Sequence, residues 1–113
     1  SAEIVQCRDL LISLIGSGGA HFRQSQAQHA TQLVRKLAGD AGYRACLSYD
    51  VDSLDYTDPG AAAVRANVTM ARPGSIVSMH FGHSGTVDAM PGILADLAAR
   101  GLRPVTATTL LRP

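Results

Sequence analysis

The sequence predicts an α/β chain with parallel strands, equivalent to half of a (β/α) barrel. Two patterns carry that expectation. Apolar stripes at helical spacing alternate with short, continuous apolar runs, and glycine or proline marks nearly every junction between them. Helices alternating with buried strands over short connections give parallel sheets with right-handed crossovers. A third observation bears on function: two of the apolar runs stop at clusters of ionisable side chains, Asp50, Asp52 and Asp55 after one, His80 and His83 after the other. Parallel strands gather their carboxyl ends at one face, which is where α/β proteins place their chemistry.

The first helix is read from Ile4, Cys7, Leu11 and Leu14, broadened by Val5, Leu10 and Ile15, with Gly16, Gly18 and Gly19 ending it. Residues 20–23 form a short strand candidate. Ala30, Leu33, Val34, Leu37 and Ala41 mark a second helix that Gly42 stops. Residues 43–51 are apolar enough for a strand buried on both faces. Asp58 and Pro59 read as a cap and a first-turn proline for a third helix ending near Ala71, before the Pro73-Gly74 turn. Residues 75–80 are the third strand. Val87, Met90, Leu94 and Leu97 define a fourth helix, which Pro91 should kink or delay. Gly101 ends it, residues 104–107 make a fourth strand and residues 108–111 a terminal turn.

The expected order is thus αβαβαβαβ, one portion of a single domain over residues 1–113, with no repeat, linker or low-complexity tract. At 113 residues the chain is short of the roughly 250 that a complete barrel takes. Hydrophobic residues make up 46% and charged ones 17%, so much of the chain should be buried, although the aromatics are few. Nine of the ten basic residues are arginines spread along the chain, which reads as base composition more than as a phosphate site. A net charge of +1 without a basic patch argues against nucleic acid. No apolar run approaches the ~18 residues of a membrane span. Glu3, Arg8 and Asp9 exclude a signal peptide from the opening residues, and a start at Ser-Ala-Glu suggests processing upstream. Cys7 and Cys46 read as buried free thiols and leave the compartment open.

His80 leads the candidate residues. It follows Ser78 and Met79 at a strand end, with Gly82 and Gly85 opening the backbone beside it. Free imidazole titrates close to neutrality, which suits proton donation. Carboxylates and imidazoles at two parallel strand ends suggest an Asp–His acid/base pair, with a structural strand-capping histidine as the alternative. Asp50 and Asp55 are open between a functional role and turn capping. His83 adds an H-x-x-H spacing that is a weak metal signal on a glycine loop.

The segments D-S-L-D-Y, P-G-S-I-V-S-M-H and T-V-D-A-M-P-G-I-L-A-D-L-A-A-R-G-L-R-P-V-T-A resemble the later motifs of the polysaccharide deacetylases, the NodB-homology fold of carbohydrate esterase family 4. The resemblance covers residues 4–111. It implies the C-terminal part of a deformed (β/α)7-type barrel, and a metal-dependent hydrolase acting on N- or O-acetyl groups of a polysaccharide or glycoside. By that resemblance His80 is the general acid, Asp52 its hydrogen-bonded orienting partner, and Arg23 the arginine that pairs with a catalytic aspartate of an earlier motif. Gln24, Ser25 and Gln26 stand where the family has a proline-containing turn. Tyr56 replaces the usual tryptophan, and Ser78 stands where a leucine lines the acetyl pocket; with Met79 these are the expected substrate contacts.

The family's T-F-D-D and H-x-x-x-H motifs do not occur in this chain. The resemblance therefore implies that the complete enzyme takes a divalent metal such as zinc, and that this chain alone binds none and is inactive. Its expected partners are a missing N-terminal half or a second copy, and an acetylated carbohydrate, with no nucleic acid or membrane. A secreted or envelope protein would follow from the family, and a cytoplasmic one is compatible. The alternative function is a non-catalytic α/β structural or interaction module.

Overall fold

The structure is a computed structural model that describes residues 2–112. The chain divides into two compact units, residues 1–48 and residues 49–113.

In the first unit, α1 (Ala2–Ile15) is followed by β1 (His21–Phe22), α2 (Gln32–Asp40) and β2 (Ala45–Cys46). Gly16 takes φ +81 and ends α1, as the sequence suggests. Thr31 starts α2 by accepting a hydrogen bond from the Val34 amide, and Gly42, at φ +98, releases the chain toward β2. β1 and β2 pair in parallel, His21 opposite Ala45 and Phe22 opposite Cys46. Few side chains are fully buried here: Ile4, Ala38 and Ala41. The Arg8 guanidinium ties α1 to the end of α2 through the Ala41 carbonyl at 2.8 Å. Leu10, Leu14, Ile15 and Leu33, expected on buried stripes, are exposed, because this unit offers those faces no partner. Both cysteines are free, but Cys7 is exposed and Cys46 half-buried, which corrects the expectation of two buried thiols.

The second unit holds β3 (Val51–Asp52), a 3-10 turn (Asp55–Thr57), α3 (Ala61–Val68), β4 (Val77–Ser78), α4 (Ser84–Ala99) and α5 (Ala107–Leu110). β3 and β4 are parallel, with Val51 opposite Val77 and Asp52 opposite Ser78. Asp50 fastens their entrance by accepting from the Ile76 amide and the Ser75 hydroxyl, each at 2.6 Å. Those two bonds, the serine's foremost, hold its carboxyl below the usual range. The core is the α3–α4 seam of Val64, Val68, Ala89 and Ile93, against which Val77, Met79 and Leu97 pack. Arg65 and Asp96 bridge the two helices through two bonds of 2.7 Å.

Several expectations change. The single strand over residues 43–51 is two strands, β2 and β3, which pair with different neighbours. The parallel pairing is present, and among the described residues it forms two two-stranded sheets, β1 with β2 and β3 with β4. Asp58 does not cap α3; Gly60 is the N-cap residue, and no side chain bonds it. Pro91 does not delay α4, which starts at Ser84 and runs on through the proline. The buried stripe of α4 is Thr86, Ala89 and Ile93, one position away from the expected one, and Val87 is 71% exposed. Residues 104–107 form no strand; Thr106 instead caps α5 by accepting from the Thr109 amide.

Candidate active site

The site lies at the carboxyl ends of β3 and β4, within the second unit. The turn after β3 orders it. Asp52 accepts the Leu54 amide at 2.9 Å, closing a local turn of the kind aspartate favours. Leu54 then adopts φ +56, a left-handed conformation uncommon for a branched side chain. This swings the next residue inward, and Asp55 is 1% exposed.

Asp55 is the centre of the site. Its Oδ1 lies 2.8 Å from His80 Nδ1, and its Oδ2 accepts the His80 amide and the Thr86 hydroxyl, each at 2.7 Å. Burial alone would push this carboxyl up. The bonds from Thr86, the His80 ring and the His80 amide outweigh it and hold the carboxyl at about 2. An ionised carboxylate only accepts, so Nδ1 carries the proton and Nε2 is left as the exchangeable position of the ring. The His80 side chain is 38% exposed, so the ring stays in reach of solvent or a ligand. Tyr56 edges onto it with ring centroids 5.7 Å apart.

The expected Asp52–His80 hydrogen bond is therefore replaced. Both residues do lie at the carboxyl ends of adjacent parallel strands, but Asp52 serves the Leu54 amide and Asp55 holds the imidazole. Ser78 pairs with Asp52 in the sheet, and alternation along the extended chain puts it on the same side as His80. Met79, expected beside the site, packs against the Val64–Ile93 core instead. Arg23 is exposed, and its guanidinium reaches the Gln24 carbonyl at 3.4 Å, within the first unit.

Sequence reading gave Thr86 no role. It is buried and donates to Asp55; only its place three residues after His83, in the first turn of α4, distinguishes it. The reading also missed that His83 Nδ1 lies 2.7 Å from Asp58 Oδ1. Among the described residues no three His, Cys, Asp or Glu side chains converge to hold a metal ion. The residues present thus do not fit a three-ligand metal centre.

No protein-family model matches the chain. Solved structures do resemble it. A family 4 carbohydrate esterase from Streptomyces lividans, solved with acetate, superposes with a TM-score of 0.85 at 24% identity over 93% of this chain and 54% of its own. The Bc1960 peptidoglycan N-acetylglucosamine deacetylase gives 0.86 at 24% identity, over 96% of this chain and 52% of its own. A mutant of BA3943, a family 4 pseudoenzyme with restored activity, gives 0.85 at 23% identity over 99% and 42%. These likenesses define the chain as an α/β protein of the deacetylase type in fold. More particularly, it carries part of the fold of the family 4 carbohydrate esterases, and it spans about half the length of the structures it matches.

Proposed function

We propose that this chain is the general-acid portion of a carbohydrate deacetylase that removes N- or O-acetyl groups from a polysaccharide or glycoside. The Asp55–His80 pair carries this reading. A buried carboxylate bonded by Thr86 and the His80 amide leaves its Oδ1 for the ring, so the imidazole is held in one tautomer and one orientation. In its imidazolium form, with Nδ1–H kept on Asp55, the ring donates its Nε2 proton to the amine or alkoxide as the carbon–nitrogen or carbon–oxygen bond of the acetyl group breaks, and is left as the neutral tautomer. Tyr56 supplies an aromatic edge for the acetyl group or sugar ring, and Ser78 makes the pocket more polar than a leucine would.

The remaining groups of such a reaction are proposed to come from the rest of the fold, supplied by an N-terminal half or a second copy. Acetate release from N-acetylglucosamine oligomers and acetylated xylan, by this chain alone and with the remaining half of the fold supplied, tests the reading. Release that disappears in His80→Ala supports it; release unaffected by that substitution overturns it.

A second reading is a non-catalytic module built on this fold. Tyr56 in place of the expected tryptophan favours it, as do Gln24, Ser25 and Gln26 in place of the proline-containing turn. Saturable sugar binding without acetate release, even with the remaining half of the fold supplied, would decide for it.

A further inference from the structure

The Asp55–His80 pair is repeated three residues later. Asp58 and His83 are separated by the same 25 positions as Asp55 and His80, and the same atoms meet, Oδ1 with Nδ1, at 2.7 Å against 2.8 Å. The 3-10 turn at Asp55–Thr57 spaces the two aspartates. Gly82, at φ +87, lets the chain turn between the two histidines. The rings of His80 and His83 lie edge to face with centroids 6.5 Å apart.

Stability accounts poorly for the second pair. The Asp58 side chain is 72% exposed, and exposed ion pairs contribute little. Asp58 also sits at φ +53, a conformation that costs free energy in a residue other than glycine. His83 is the N-cap residue of α4, yet its side chain makes no capping bond. What the pair does achieve is orientation. With Nδ1–H given to Asp58, the neutral ring presents Nε2 as an acceptor, and no partner for that atom is found among the described residues.

We propose that His83, oriented by Asp58, is a substrate-contacting residue that accepts a hydrogen bond from a hydroxyl or amide N–H of the sugar whose leaving group His80 protonates. The inference rests on the reading of His80 given above. One sugar can touch both rings at a 6.5 Å separation. His80 then serves the bond that breaks, and His83 selects sugars carrying a donor beside it. A site built to bond a polar group discriminates strongly against analogues lacking it.

The test is a titration of the 113-residue chain, labelled at its four histidines, with the N-acetylglucosamine trimer, followed by NMR of the ring Cε1–H signals. His80 and His83 should shift saturably while His21 and His29 stay still. His83→Phe, which keeps a ring but no acceptor, should weaken binding about tenfold, the worth of one lost hydrogen bond. His83→Gln, which keeps an acceptor, should stay within about threefold of the parent. Asp58→Ala, at an exposed position, should weaken binding with no loss of fold, and it carries the test if His83→Phe does not fold.

A His80 shift with His83 unmoved, or full affinity in His83→Phe, overturns this inference and leaves the His80 reading standing. A His83 shift with His80 unmoved supports the sugar contact and counts against the His80 reading. No shift at either ring overturns both.

Discussion

Asp55 Oδ1 and His80 Nδ1 meet at 2.8 Å, and the same carboxylate also accepts the His80 backbone amide. Ring and backbone of one histidine are thus fixed by one buried side chain. Removing it releases both, and leaves the Thr86 hydroxyl without its partner.

Asp55→Ala should therefore destabilise the second unit by roughly 3 kcal/mol, since each buried donor left unsatisfied costs ~1–3 kcal/mol. Asp52→Ala removes a local turn bond only, and should cost about 1 kcal/mol. Urea unfolding of the two variants orders them. NMR of the His80 ring should show its environment changed by the first substitution and largely kept by the second. The reverse order would restore Asp52 as the partner.

The pH dependence follows from the same carboxylate. Its folded value is held at about 2, below the ordinary 3.8. A depressed carboxyl stabilises the fold above the unfolded value, and that contribution fades as pH falls through the folded one. The second unit should lose on the order of 2 kcal/mol between about pH 5 and pH 2. Asp50 and Asp96 are lowered as well and add to the slope, so the difference between the parent and Asp55→Asn is the informative quantity. Urea midpoints across that range measure it. Parallel curves would show that Asp55 is not the titrating group.

Ile93, 2% exposed on the α3–α4 seam, should be costly to truncate: Ile93→Ala by roughly 2–5 kcal/mol. Val87→Ala, on an exposed position of the same helix, should stay within about 0.5 kcal/mol. Chemical denaturation of both variants distinguishes the observed buried face of α4 from the one its leucines suggest.

Beside that seam, Ile76, Met79, Leu94, Leu97 and Val105 line an apolar groove of about 580 Å³. Among the described residues β4 pairs only with β3, which leaves one of its edges open. Open edges and apolar surface favour association. The purified chain should therefore self-associate at micromolar concentration in sedimentation velocity, or become stable on addition of the remaining half of the fold. A cooperative monomer would refute this.

The order of helices and turns was legible in the sequence because apolar spacing, glycine and proline act locally. So was the gathering of carboxylates and imidazoles at two strand ends, which parallel pairing then brings together. What the sequence could not decide included where a strand breaks, as between β2 and β3, and choices between neighbours three residues apart or fewer. Asp52 and Asp55 are the same residue type in one motif; the left-handed turn at Leu54 sends one to a backbone amide and the other inward to His80. Thr86 and Val87 lie side by side, and polarity favours burying the valine. Only packing of α4 on α3 turned the threonine in, where its hydroxyl could meet Asp55. Periodicity tells which faces are apolar, whereas partners depend on the path of the chain between them, and that path was set by tertiary contacts.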